Sequence, residues 1–381
     1  MVYPNIQSEV VRAWVDSKFT DGKLKLSTLA LELSDKRRGV SRLHAQEASK
    51  MFTDLDGKPV QFEPITNGIS MERWAHPDLL ELYKQAGAVD EFERVTPDTI
   101  PLVLGLDERK LARAKHEAKK DFREALKGMK DQNGNVVELP EGVKIIGSAR
   151  RAAGYKRMGF PFTHPDKLAE ILVEQDAHFF ISGKAHTKDE PMKAEIQRIC
   201  QIINNHPVLS ERVHYIQDYN EGVSKPLIRA ADLWLNYPTV RDEKGNPIST
   251  EADGTSKDKA ILNNAIVVST EDGGMMDAAL IEAAGGTVIP GDHAPYYLRI
   301  ESDTPAGELA SFYRQLKRGL SLVSGTDAEY TWGRFAKRQL ASNWEIISGG
   351  RWVEEELKFG LPKPTVQGQE YVLTPSQAQA V

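Results

Sequence analysis

The 381 residues carry 49 lysines and arginines against 55 aspartates and glutamates, a formal charge of −6, and are 40% hydrophobic and 27% charged. That balance suits a globular chain of one large or two average domains and disfavours nucleic acid or an anionic membrane as a partner. No apolar run approaches the roughly 18 residues of a membrane-spanning helix, and a lone Cys200 excludes an intrachain disulfide and reads as a buried structural thiol. The N-terminus, MVYPNIQSEVV, lacks a basic stretch leading into an apolar one, so a cytoplasmic protein is expected.

In chain order, LSTLALELSDKRRGVSRLHAQEASKMF (26–52) has helical spacing, and QFEPITNGISMERWAHPDL (61–79) is broken by Pro64, Gly68 and Pro77 as a connector would be. The segment LDERKLARAKHEAKKDFREALKGMK (106–130) carries charge on most faces, which predicts a solvated helix. From residue 143 the pattern changes. Short apolar runs, VKIIGSAR (143–150), AHFFISGKA (177–185), RVHYIQDY (212–219), ADLWLNYP (231–238), AIVVST (265–270) and GTVIP (286–290), alternate with amphipathic stretches such as 165–174 and 191–204. This β-α alternation predicts a doubly wound parallel sheet with right-handed crossovers. The polar end, PTVQGQEYVLTPSQAQAV, reads as a loosely attached tail.

Ligands of such sheets bind at the carboxyl ends of the strands, which directs attention to the residues after each run. Arg150, Arg151, Lys156 and Arg157 follow the first run. Glu251-Ala-Asp-Gly-Thr-Ser-Lys-Asp-Lys259 precedes the fifth. Gly254 and Thr255 open a helix expected to reach about Asn264, a start whose amides and hydroxyl favour an anion such as phosphate. Lys259 lies four residues on, one turn away on the same face. A lysine amine one turn from a phosphate-binding helix start suits a phosphorylated aldehyde cofactor; a cap followed by solvated lysines has the same pattern. The basic turn at 150–157 would hold an oxyanion in a closed cleft or form an ordinary basic surface. Zinc, redox, hydrolase, dinucleotide and P-loop signatures do not occur in the chain. His164 and His293 read as structural, and no metal is expected.

Taken in order, LSTLALELSDKRRGVSRLHAQEASKMF, TNGISMERW, ARRAAGYKR, FISGKAHTKDEPMK, VHYIQDY, AADLWLNYP and EADGTSKDKAILNNAIVVSTEDGGMMD resemble the α-glucan (glycogen, starch and maltodextrin) phosphorylases, which are pyridoxal-phosphate enzymes of the two-domain GT-B fold. The likeness spans about residues 25–300. It implies the Rossmann-like C-terminal GT-B domain over 76–365, a helical remnant of the N-terminal domain and connector over 1–75, and a flexible tail over 366–381.

The resemblance further implies that Lys259 is the Schiff-base lysine for pyridoxal 5'-phosphate. Arg150, Gly254, Thr255 and Ser256 would contact the cofactor phosphate, with Trp74 and Tyr219 packed around the cofactor. Arg151 and Lys156 would bind the substrate phosphate. Glu251, Asp253 and Gly254 would face the sugar hydroxyls, and Asn67 the glucose 6-hydroxyl. The implied reaction releases glucose 1-phosphate from α-1,4-glucan with inorganic phosphate and retained configuration. Two readings from other classes stay open: a non-catalytic or partner-dependent carbohydrate-binding subunit of the same fold, and a nucleotide-sugar glycosyltransferase.

The chain departs from the family pattern at Asp253, where serine is usual, at Lys257 and Asp258, where small and apolar residues are usual, at Ala153, where histidine is frequent, and at Asn220, where a basic residue can follow the tyrosine. Asp253 is expected to add negative charge beside a phosphate site. The family's glycine-rich loop and acceptor-glucan segments do not precede Met1, so the chain reads as the cofactor half of a cleft: either a fragment or split gene product that pairs with a separate N-terminal chain, or a divergent, inactive relative, with a homo-oligomer as a further option.

Overall fold

The computed structural model describes residues 8–17, 19–20, 23–24, 26–52, 58–242, 247–248, 251–277 and 297–360. The chain divides into two compact units, Met1–Arg37 with Val353–Val381, and Arg38–Trp352. In the smaller unit, Ser8 caps helix Glu9–Asp16 and the Trp14 indole donates to the Glu32 carboxylate at 3.2 Å. Lys36 donates there to the Phe359 carbonyl.

The larger unit is built on six strands: β1 Lys144–Ala149, β2 Ala177–Ser182, β3 Val213–Ile216, β4 Leu233–Asn236, β5 Ile266–Ser269 and β6 Leu298–Arg299. They lie in the order β6-β5-β4-β1-β2-β3, and every neighbouring pair is parallel. This is the doubly wound arrangement, with its topological switch between β1 and β4. Covered on both faces, the strands are continuous apolar runs, and successive side chains enter opposite layers. Ile145, Phe180 and Val267 join one core, and Ile146, Phe179 and Val268 the other.

The helices that cover the faces are α1 Glu108–Leu126, α2 Pro165–Glu174, α3 Glu190–Asn205, α4 Glu221–Ala230, α5 Ser256–Leu262, α6 Pro305–Val323 and α7 Trp332–Ile347. The first core takes residues mainly from α1, α4, α5 and α7, and the second from α2, α3 and α6. Gly147 in β1 is required by a close approach, because a Cβ there would lie 2.6 Å from the Trp234 ring of β4.

Several sequence expectations are corrected. Helix α1 is not solvated all round: Leu111, Ala114, Lys115, Ala118, Phe122 and Leu126 are buried on one stripe, spaced at three and four residues as a core-facing helix requires. The Lys115 amine, which burial pushes down to about 7, donates to the carbonyls of Arg229, Ala231 and Asn263 at 3.2, 2.7 and 2.6 Å. Charge density concealed this stripe. The 26–52 stretch is two helices, Leu26–Leu33 and Arg42–Met51, and Cys200 is half-buried. Helix α5 ends at Leu262, and Asn264 follows in the left-handed region at φ +57°. The run 286–290, His293 and the tail from 366 lie outside the described residues. Among the described residues the sheet has a further strand at Leu298–Arg299.

Candidate active site

Arg150 immediately follows β1, and its guanidinium crosses the switch point to β4. It donates to the Leu235 carbonyl at 2.5 Å, the Asn236 amide oxygen at 3.2 Å and the Ser148 hydroxyl at 3.4 Å, and it lies 5.0 Å from the centroid of the Tyr237 ring. At 6% exposure this cation has only neutral acceptors among the described residues, and burial pushes its pKa down. A buried charge without a counter-charge is costly, and an anionic ligand at the strand ends would relieve that cost.

The turn after β1 brings further cations. Lys156 is buried and forms an ion pair with the Glu251 carboxylate. Burial, then Arg150 and Arg151, push the Lys156 ammonium down to about 7. Arg151 is exposed. Tyr219, after β3, is half-buried, and burial raises its hydroxyl pKa while Arg150 and Arg151 pull it back. Arg150, Arg151, Lys156, Tyr219 and Glu251 are therefore electrostatic neighbours, although they come from three separate connections.

Thr255 occupies the N-cap position of α5 but makes no side-chain cap hydrogen bond, leaving its hydroxyl and the first amides of the helix available. The Ser256 hydroxyl accepts from the Trp234 indole at 3.4 Å, which ties the helix start to β4. A Cβ on Gly254 would press on the Glu251 carboxylate at 3.3 Å. One turn along, the Lys259 amine lies over the Trp74 ring, 3.6 Å from its centroid. Burial lowers its pKa, Asp258 and Glu221 oppose this, and Arg73 adds to it. A half-buried amine of lowered pKa against an aromatic face has the character of a lysine that reacts with carbonyls. Trp74 is itself held by its carbonyl, which accepts from Arg229 at 3.3 Å and Asn263 at 3.0 Å.

The model of the carbohydrate phosphorylase family matches residues 3–289. The chain belongs to the carbohydrate phosphorylase family. It is 29% identical over 271 residues to a maltodextrin phosphorylase of Thermococcus litoralis, covering 66% of this chain and 31% of that protein. It is 26% identical over 269 residues to a glycogen phosphorylase of Mycobacterium tuberculosis, covering 66% and 30%. For a glycogen phosphorylase of Aquifex aeolicus the identity is 28% over 261 residues, covering 64% and 36%. This phosphorylase-family chain thus spans about a third of the length of the relatives it matches.

Of the residues singled out from sequence, the fold gathers Arg150, Lys156, Glu251, Gly254, Thr255 and Ser256 around the ends of β1 and β4. Lys259 and Trp74 pair at the next turn of α5. Asn67 is half-buried, with its backbone amide donating to Val40 at 3.2 Å. The Asp253 side chain is fully withdrawn from solvent and paired with Lys257 at 3.3 Å, so its charge is turned inward. The sequence did not single out Asn236 and Tyr237, and marked Lys257 only as a departure from the family pattern. The tight packing of Lys257 has no local signature, but its spacing of four from Asp253 was visible. Among the described residues no cluster of metal-ligating side chains occurs, and no helix is long and apolar enough to cross a membrane.

Proposed function

We propose that this chain is the cofactor-bearing portion of an α-glucan phosphorylase, acting on α-1,4-glucan with inorganic phosphate to give glucose 1-phosphate, and that its cofactor is pyridoxal 5'-phosphate. The observation that carries the reading is the juxtaposition at α5. An amine of lowered pKa sits over an aromatic face, one turn from a helix start without a side-chain cap, and Arg150 nearby in the fold is a buried cation with neutral partners. An amine, a ring platform and an anion-accepting end are the groups that a phosphorylated pyridine aldehyde requires, so the residues present fit it.

In this reading Lys259 anchors the cofactor, Trp74 and Tyr219 flank it, and Arg150, Gly254, Thr255 and Ser256 hold its phosphate. When bound, the cofactor would supply a phosphate able to relay a proton to and from the substrate phosphate. Lys156 and Arg151 bind that substrate phosphate and stabilise charge as its oxygen bonds to the glucose anomeric carbon and the glycosidic bond breaks, the departing 4-oxygen taking the proton. Glu251, Gly254 and Asn67 face the sugar. Lys156 exchanges its Glu251 partner for phosphate when substrate arrives, which frees the Glu251 carboxylate for a sugar hydroxyl. Asp253 was expected among the sugar contacts, but its inward-turned carboxylate favours a supporting part. The names of the relatives support the family-level reading, which leaves acceptor-glucan contacts to the part of their length that this chain does not span.

The test is chemical trapping. The 381-residue chain is incubated with pyridoxal phosphate, reduced with borohydride and digested. A phosphopyridoxyl group on Lys259, lost in Lys259→Ala, is the expected result. Labelling spread over surface lysines, or undiminished in Lys259→Ala, would overturn the cofactor reading.

A further inference from the structure

Three of the departures from the family pattern, Asp253, Lys257 and Asp258, are in contact with one another. The Lys257 amine lies 2.8 Å from both carboxylate oxygens of Asp258 and 3.3 Å from Asp253. All three side chains are withdrawn from solvent, at 3% exposure for Lys257, 0% for Asp253 and 1% for Asp258. Lys257 and Asp258 belong to α5, whereas Asp253 belongs to the loop ahead of it, so the pair at spacing four crosses the helix start and ties loop to helix.

We propose that Lys257 and Asp253 are positioning residues: their buried ion pair pins the Glu251–Thr255 loop against α5 in the conformation that receives a phosphate-bearing cofactor. This rests on the cofactor reading above for its ligand and on the ion-pair geometry for its mechanism.

The surroundings are shaped for this pair. A Cβ on Gly274 would fall 2.2 Å from the Asp253 carboxylate and 3.2 Å from the Lys257 amine, and Gly273, at φ +56°, brings its Cα within reach of the Glu251 backbone, where a Cβ would lie 2.9 Å from the Glu251 carbonyl. The turn Gly273–Met276 therefore closes over the cluster only because both residues are glycine. Asp277 accepts from the Thr66 hydroxyl and from the Arg42 amide at 3.3 Å, and the Ser41 hydroxyl donates to the Ala252 carbonyl at 2.6 Å. The loop is thus held from the connector side as well.

Lys257 faces the carboxylates of Asp253, Asp258 and Asp277, which together keep its ammonium charged despite burial. Its removal would leave buried carboxylates without a counter-charge, the expensive case, whereas removal of all three departing charges together leaves only Asp277, which keeps the Thr66 hydroxyl and the Arg42 amide as donors, and is tolerated better. Asp253 therefore does not oppose a phosphate as an isolated charge would, because Lys257, which it shares with Asp258, offsets part of its charge from behind.

The experiment compares the full chain with Asp253→Ser, Lys257→Met and the triple variant Asp253→Ser, Lys257→Met, Asp258→Met. Pyridoxal phosphate is titrated by absorbance, and hydrogen exchange of the 252–258 amides is followed without cofactor. Asp253→Ser keeps Lys257 paired with Asp258, so it folds. It should weaken cofactor binding by about 10-fold and hasten exchange in the loop, in line with the loss of one buried pair. Lys257→Met should weaken binding by about 30-fold or more, and the triple variant should return to within about threefold of the parent. Unchanged affinity and exchange in Asp253→Ser, or a triple variant as impaired as Lys257→Met, would overturn the proposal. If the parent itself binds no pyridoxal phosphate, the cofactor reading fails, while the exchange rates still decide whether the pair pins the loop.

Discussion

Replacing Arg150 by methionine separates a structural cation from one poised for an anion. Among the described residues the guanidinium has three neutral acceptors at 2.5–3.4 Å and no carboxylate. Two consequences for stability oppose each other. Unpaired acceptors at Leu235 and Asn236 cost about 1–3 kcal/mol, and removing an uncompensated buried cation returns an amount of similar size. Arg150→Met is therefore expected to unfold within about 2 kcal/mol of the parent when no ligand is present. Binding has no such offset. A charge-assisted hydrogen bond to phosphate is worth about 1.5–3 kcal/mol, or roughly 10- to 150-fold in Kd. At a pyridoxal phosphate concentration 100 times the parent Kd, the parent gains about 2.7 kcal/mol of stability by linkage, and the variant at the same concentration should gain only about 0.3–1.4 kcal/mol. Urea unfolding with and without the cofactor reads both numbers. A variant that keeps the whole ligand-induced increment would refute the assignment of Arg150 to the phosphate.

Gly147→Ala should destabilise the chain by about 1–3 kcal/mol in urea unfolding, since its Cβ would meet the Trp234 ring at 2.6 Å in a packed core; an unchanged midpoint would refute the close β1–β4 approach. Lys115→Met should cost about 2–4 kcal/mol, because three buried carbonyls lose their donor, and a neutral result would show the helix ends to be held by other means. The rings of His178 and His214 stack with nitrogens 3.0 Å apart, and burial pushes them down to about 4 and about 3. The unfolded chain binds their protons near pH 6.5 and the fold refuses them, so stability is complete above that pH and falls as pH drops toward 4, by up to about 1.4 kcal/mol per pH unit for each proton. Urea midpoints between pH 7.5 and 4.5 should show that slope reduced in His178→Phe/His214→Phe; an identical slope would refute the pair as its source.

The sheet was legible because a strand buried on both faces must be apolar along its length, and runs such as AHFFIS have no other use in a chain this polar. The strand-end cations were legible for the same reason, since Arg150 and the Gly254-Thr255 helix start fall where a doubly wound sheet places its ligands. Helix α1 was misjudged because counting charges ignores where they point. Its lysines and glutamates surround a stripe of Leu111, Ala114, Ala118 and Phe122, and Lys115 enters the core through hydrogen bonds to carbonyls that come from residues over 100 positions away.

Lys257 exposes a deeper reason. On a solvated helix, a lysine four residues after an aspartate contributes a few tenths of a kcal/mol, and nothing local distinguishes such a pair from a buried one. What distinguishes it here is the turn that arrives from the far side of β5, where Gly273 and Gly274 leave room for side chains that no larger residue would admit. Burial changes the sign of the inference. Considered singly, Asp253 adds repulsion beside a phosphate site, and Lys257 and Asp258 look like substitutions that a cofactor pocket should not accept. In contact, the Lys257 ammonium offsets part of the charge of both carboxylates, and an ion cluster that is closed to solvent resists any single change far more than a joint one. The three departures therefore weigh less against a working cofactor site than their number suggests, and the property to look for in similar chains is their joint presence with the two glycines, not the identity of any one of them.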